Sequence, residues 1–113
     1  MSERAAQYQT QITGHPARTE AYRVDGVDFD GFKDGALIEV KSYYSNLIEN
    51  GQWKWFFSKQ QNLIDQAKNQ VRVAKGTPVR WVFAEAETMA LMKKMFDDAG
   101  LEGMIGYVVV PPQ

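Results

Sequence analysis

Asp30, Glu39 and Lys41 are the side chains of this sequence whose types and spacing best suit chemistry. They lie in VDFDGFKDGALIEVKS, residues Val27 to Ser42, where Asp34-Gly35 is a favoured pair for a two-residue type I′ hairpin turn. Counting outward from that turn sets Lys33 against Ala36, Phe32 against Leu37, Gly31 against Ile38 and Asp30 against Glu39. Phe29 then faces Val40, and Asp28 faces Lys41. Alternation sorts the ribbon into two faces. One carries Val27, Phe29, Gly31, Ala36, Ile38 and Val40, all apolar and fit for a core; the other carries Asp28, Asp30, Phe32, Leu37, Glu39 and Lys41.

Like charges across a strand pair need a reason. Directly opposed Cβ atoms are ~5 Å apart, and a favourable pair gains only ~0.2–1 kcal/mol. Two carboxylates at that separation repel by roughly 3 kcal/mol at an effective dielectric near 20. Two readings fit. The carboxylates splay into water on an exposed face, with Asp28 and Lys41 an ordinary surface pair. Alternatively a hard divalent cation sits between Asp30 and Glu39, as Mg²⁺ does with one or two carboxylates plus phosphate oxygens. Lys41, on the same side as Glu39, would then orient a water or offset charge in a transition state.

The surrounding pattern supplies elements to hold such a hairpin. Ser2 to about Ile12 reads as a helix with Ser2 as N-cap, broken by Gly14 and Pro16. Tyr22 to Ser42 reads as the hairpin. Ser58 to Lys75 is a helix with Leu63, Ile64, Ala67, Val71 and Ala74 at helical spacing, stopped by Gly76 and Pro78. Val79 to Ala84 is a buried strand, Glu87 to Ala99 an amphipathic helix ended by Gly100, and IGYVVVPP a last strand. The aromatic stretch YYSNLIENGQWKWFF is part helix, part loop. Strand–helix–strand units favour parallel pairing, whereas a hairpin is antiparallel. The expectation is an α/β fold with a mixed sheet of about four strands flanked by helices, in one domain of 113 residues.

Composition narrows the classes. Apolar residues make up 44% and charged residues 24%, as in ordinary globular proteins. No apolar run approaches the ~18–20 residues of a membrane span, and the first residues do not show a basic n-region followed by an apolar h-region. With no cysteine, disulfides and thiolate metal sites are excluded. The single histidine, His15, excludes paired-histidine ribonuclease chemistry and reads as a solvated loop residue. A net charge of -1 lacks the basic footprint of most nucleic-acid binders. The charge is segregated, however. Glu20, Asp25, Asp28, Asp30, Asp34 and Glu39 dominate one segment; Lys54, Lys59, Lys68, Arg72, Lys75 and Arg80 dominate another. This suits a cation site beside a phosphate track, or two solvated faces.

The stretch FDGFKDGALIEVKS resembles the Asp…Glu-x-Lys core of the PD-(D/E)xK nuclease superfamily, with Asp30, Glu39 and Lys41 in the motif positions. More narrowly, the chain resembles the fifth class of restriction-endonuclease-fold toxins of bacterial polymorphic toxin systems. The matching segments are YQTQITG (Tyr8 to Gly14), GVDFDGF (Gly26 to Phe32), LIEVK (Leu37 to Lys41), QAKNQ (Gln66 to Gln70) and G-x-P-V-x-W (Gly76 to Trp81), in order along nearly the whole chain. Phe29 stands where Pro precedes the motif aspartate in the superfamily, and Ser42 where a glycine is common; neither removes a functional group.

The resemblance implies a restriction-endonuclease-like core and a nuclease using Mg²⁺ or Mn²⁺. It makes Asp30 and Glu39 metal ligands, with the Val40 carbonyl as a third and Glu20 as an added acidic ligand, and gives Lys41 the attacking water. Gln66 and Gln70, at i, i+4 on one helix face, would border the site. It implies a DNA substrate, a cognate immunity protein, and a secretion-system carrier upstream, so that the chain is the C-terminal part of a secreted effector acting in a target bacterium's cytoplasm. An RNase or a repair or phage nuclease of the same fold is the alternative within enzymes; a module gripping a basic partner protein is the alternative outside them. Trp53, Trp55, Phe56 and Phe57 could stack on bases or belong to the core, while Met89, Met92, Met95 and Phe96 read as packing.

Overall fold

Three Asx-Gly pairs, Asp25-Gly26, Asp34-Gly35 and Asn50-Gly51, hold both residues at positive φ and so close three two-residue turns. The computed structural model describes residues 1–17 and 21–113. Helix α1 (Glu3–Thr13) opens with the Ser2 hydroxyl accepting from Ala5 N. Strands β1 (Tyr22–Val24) and β2 (Val27–Phe29) form a first hairpin, β3 (Gly31–Lys33) and β4 (Ala36–Lys41) a second. Strands β5 (Ile48–Glu49) and β6 (Gln52–Trp53) form a third, followed by α2 (Gln60–Ala74), β7 (Val79–Phe83), α3 (Ala86–Phe96) and β8 (Gly106–Val109).

The central sheet has the order β3-β4-β7-β8. β3 is antiparallel to β4, whereas β4, β7 and β8 run parallel, with Glu39 beside Trp81 and Trp81 beside Tyr107. This is the mixed four-stranded α/β sheet expected. Helices α2 and α3 cover one face, packing Leu63, Ala67, Met92 and Phe96 against Leu37, Trp81 and Phe83. Helix α1 covers part of the other, where Ala36, Ile38 and Val82 meet Ile12. The Tyr8 hydroxyl donates to the Val110 carbonyl at 2.6 Å, tying α1 to the chain beyond β8.

The single long hairpin expected over Tyr22 to Ser42 is two. Pairing with β4 stops at Gly31 and Ile38; beyond it Phe29 pairs with Tyr22, not Val40, and Asp28 pairs with Arg23, not Lys41. The face assignment changes with it. Phe29 joins the cluster under α2 and α3, while Gly31 lies against Thr13 of α1. The chain crosses from one side of the sheet to the other at Asp30. The cause is the second type I′ pair, Asp25-Gly26, which gives residues 27–29 a nearer partner than the far end of β4.

Candidate active site

Strand alternation on β4 sends Leu37, Glu39 and Lys41 to the α2 face. There helix packing buries them: Glu39 is 5% exposed and Lys41 9%. The splayed, solvated pair is therefore not what forms. Helix α2 runs antiparallel to β4, so Gln66 lies over Lys41 and Glu39, and Gln70, one turn on, over Glu39 and the Asp28 carbonyl.

The hydrogen bonds form a closed set. Gln66 Nε2 donates to Glu39 Oε2 at 3.0 Å, and Gln70 Nε2 donates to Glu39 Oε1 at 2.9 Å. Lys41 Nζ lies 3.1 Å from Glu39 Oε2 and donates to Gln66 Oε1 at 3.1 Å. Trp81 Nε1, which can only donate, gives its proton to Gln70 Oε1 at 2.9 Å. That bond fixes the amide orientation, leaving Gln70 Nε2 for the carboxylate. Lys41 Nζ also sits 5.0 Å from the centroid of the Trp81 ring.

Asp30 meets β4 along its β3 edge. Where the ladder ends, its carboxylate substitutes for the missing strand: Asp30 N donates to the Ile38 carbonyl at 2.8 Å, and Asp30 Oδ2 accepts from Val40 N at 2.8 Å. Along β4 the backbone groups alternate, with Leu37 N and the Lys41 carbonyl bonding toward β7. The Val40 carbonyl therefore points with its own N–H, toward Asp30.

The charges do not balance. Lys41 and Glu39 attract by about 5 kcal/mol at 3.1 Å and an effective dielectric near 20, against a burial penalty of several kcal/mol per ion. The pair is thus close to break-even as a stabilising feature. Burial presses the Lys41 ammonium toward neutrality, but Glu39, the Tyr44 phenol and Asp30 outweigh it, and its pKa ends above the ordinary lysine value. One lysine cannot also answer Asp30. Burial first, and the Glu39 charge second, push the Asp30 carboxyl up to about 7, against the pull of the Val40 N–H and Lys41.

The structure brings Asp30, Glu39, Lys41, Gln66 and Gln70 together, with Val40 at the junction. Glu20 lies outside the described residues, and among the described ones no third His, Cys, Asp or Glu joins Asp30 and Glu39. Asp30 lines an open cleft of about 320 Å³ with His15, Tyr22, Arg23, Gly31 and Phe32, so His15 is a wall of the approach to Asp30. Two contributors were missed in the sequence. Trp81 orients Gln70; a tryptophan inside a buried strand needs a partner for its N–H, and that need was the available signal. Glu85 Oε1 accepts from Tyr44 N at 2.7 Å, Ser45 N at 3.0 Å and Thr88 Oγ1 at 2.9 Å, which fixes the chain leaving β4. Burial alone would raise its pKa, but these donors hold it below the usual glutamate value.

The family model for restriction endonuclease fold toxin 5 matches residues 5–86, from α1 through β7 to the start of α3. The chain belongs to the restriction endonuclease fold toxin 5 family. Most of α3 and all of β8 lie beyond the matched span of this toxin domain, yet Met92 and Phe96 are fully buried and β8 completes the sheet. No curated protein matches the chain. Enzymes of the restriction endonuclease fold typically use divalent metals, and the residues here fit one. Two carboxylates and a backbone carbonyl are a hard oxygen donor set, and they carry negative charge that Lys41 leaves partly unanswered.

Proposed function

We propose that this toxin domain is a divalent-metal-dependent nuclease that hydrolyses DNA phosphodiester bonds, with Asp30, Glu39, Lys41, Gln66 and Gln70 as its working residues. The single observation that carries the reading is the charge deficit at Asp30 and Glu39, two half- to fully buried carboxylates facing one lysine. Such a deficit costs stability and is relieved by a divalent cation.

Asp30, Glu39 and the Val40 carbonyl would hold Mg²⁺ or Mn²⁺, which when bound supplies positive charge to the phosphate oxygens. The protein's own part is positioning. The cleft beside Asp30 admits the phosphodiester, with His15 and Arg23 on its wall. Lys41, held protonated by Glu39, acts as a donor that orients the attacking water and offsets charge on the phosphoryl group. Gln66 and Gln70 keep Glu39 and Lys41 from swinging. In the hydrolysis the water oxygen bonds to phosphorus and one ester P–O bond breaks. Its electrons leave on the sugar oxygen, which gains a proton as the water loses one.

In this reading the domain is the toxic end of a secreted antibacterial effector, carried by a type VI or related system through a region upstream. It acts in the target cell's cytoplasm and is restrained in the producer by a cognate immunity protein. No helix among the described residues is long and apolar enough to cross a membrane.

Purified protein should nick plasmid with Mg²⁺ or Mn²⁺ and fall silent in EDTA. Lys41→Ala and Asp30→Asn should each lose activity by orders of magnitude while remaining folded. Full cleavage by either variant refutes the assignment. Plasmid, single-stranded DNA and tRNA tested side by side separate DNA from RNA as the substrate, and cleavage of tRNA alone would replace DNase with RNase.

A further inference from the structure

Trp55 is 94% exposed and its neighbour Phe56 is 53% exposed. A tryptophan offered almost wholly to water is unusual, because the indole is among the largest apolar surfaces a protein can bury. The local structure is built to present it. Phe57 N donates to the Lys54 carbonyl at 2.9 Å, which closes a turn with Trp55 and Phe56 at its two corners. On either side of the corners, Trp53 and Phe57 turn inward, their ring centroids 4.6 Å apart, and pack against the core under α2. Lys54 N is further tied to the Leu47 carbonyl at 2.8 Å. The inner pair anchors the turn while the outer pair, edge to face with centroids 5.8 Å apart, is left free.

The turn also lies at the correct end of the site. It leads directly into α2, and α2 runs antiparallel to β4 with Gln66 over Lys41. The start of α2 and the turn before it therefore lie beyond the Lys41 end of β4. The chain itself joins the two: Tyr44, three residues beyond Lys41, meets the Trp53 ring edge-on at 6.5 Å. Lys54 and Lys59 flank the aromatic corners, with no acid between Lys54 and Asp65.

We propose that the Trp55–Phe56 turn is a stacking platform for unpaired bases of the nucleic-acid strand whose phosphate reaches Lys41. The inference rests on the nuclease reading for its substrate class and deepens it. Aromatic faces accept any base but need it out of the duplex, while neighbouring lysines hold the backbone without reading sequence. The platform therefore favours single strands, frayed ends and locally opened duplex, with little sequence preference.

The test separates binding from cleavage. In EDTA, where no cleavage is expected, a ten-nucleotide oligothymidylate should quench tryptophan fluorescence and bind wild type roughly ten- to a hundredfold more tightly than Trp55→Ala. Trp55→Tyr should recover most of that affinity; Trp55→Leu, equally apolar but without a ring, should not. Because residue 55 is solvent-exposed, all three variants should melt with wild type. Unchanged oligonucleotide affinity in Trp55→Ala overturns the proposal and reassigns the turn to contact with a protein. If oligonucleotide binding depends on the ring but wild type cleaves nothing with Mg²⁺ or Mn²⁺, the platform stands and the nuclease reading falls. If wild type cleaves single-stranded DNA and Trp55→Ala does so equally well, the reverse holds.

Discussion

Trp81 donates its indole proton to the Gln70 amide oxygen at 2.9 Å, and this contact decides which end of that amide meets Glu39. Both residues are fully buried, so neither group has water to fall back on. Gln70→Met should leave the Trp81 N–H and one side of Glu39 unanswered and cost ~1–3 kcal/mol per orphaned group. Urea midpoints should show it. Adding Trp81→Phe to Gln70→Met should cost less than the two single changes summed, because the orphan donor is gone. Strict additivity would mean that the two side chains do not act as a unit.

Gln66 touches both Lys41 Nζ and Glu39 Oε2 but is only half-buried, so its loss is felt more in positioning than in folding. Gln66→Ala should lower kcat by roughly a hundredfold, the scale of an ångström's misplacement of a reacting group. KM and the melting temperature should move little. A variant with wild-type kcat and weakened KM would make Gln66 a substrate contact instead.

Asp30 carries the clearest conflict between stability and activity. Its folded pKa of about 7 stands above the ordinary aspartate value of 3.8, so between those two pH values the folded protein holds a proton that the unfolded chain has released. The stability contribution is therefore complete below about pH 4 and is lost as pH rises toward and through 7. The difference corresponds to on the order of 4 kcal/mol at ~1.36 kcal/mol per pH unit, as an upper figure. In EDTA, wild type should weaken from pH 5 to pH 8. Asp30→Asn, which can still accept from Val40 N, should lack that decline and be the more stable protein at pH 8, yet be inactive. An identical pH slope in the two proteins would show that Asp30 is not the group under strain.

Tyr8, in the YQTQITG segment of α1, is 2% exposed and donates to the Val110 carbonyl at 2.6 Å. Burial chiefly, with Tyr43 adding to it, pushes its pKa up to about 12. A raised tyrosine contributes stability that is present below about pH 10 and lost as pH climbs to 12. Tyr8→Phe should cost about 1 kcal/mol at neutral pH, lowering the thermal midpoint by a few degrees with little effect on cleavage. Its alkaline transition should be shallower than that of wild type. A large loss of activity would instead place Tyr8 at the site.

The elements were legible wherever local rules dominate. Gln60–Ala74 and Val79–Phe83 follow from hydrophobic period and from Gly76 and Pro78, and the turn at Asp34-Gly35 follows from residue type alone. The alternation of β4 likewise set Glu39 and Lys41 on one side. The same turn signal sat unread in VDGV and ENGQ, and missing the first extended the Asp34-Gly35 hairpin too far, putting Phe29 on the wrong face. Gln66 and Gln70 could be placed on one helix face by spacing; that the face meets Glu39 is a matter of packing, not of spacing.

What the sequence determined by itself was the supply of groups: a tight turn, a carboxylate and a lysine two residues apart on one strand, and two glutamines one helical turn apart. Tertiary structure alone decided their environment. Closing α2 over β4 removes water from Glu39 and Lys41, turning a modest surface repulsion into a buried imbalance, and brings in Trp81 from a strand forty residues along. Burial and long-range strand register are properties of the assembled chain, because the energy of a charge depends on what surrounds it, and neighbours in sequence do not fix those surroundings.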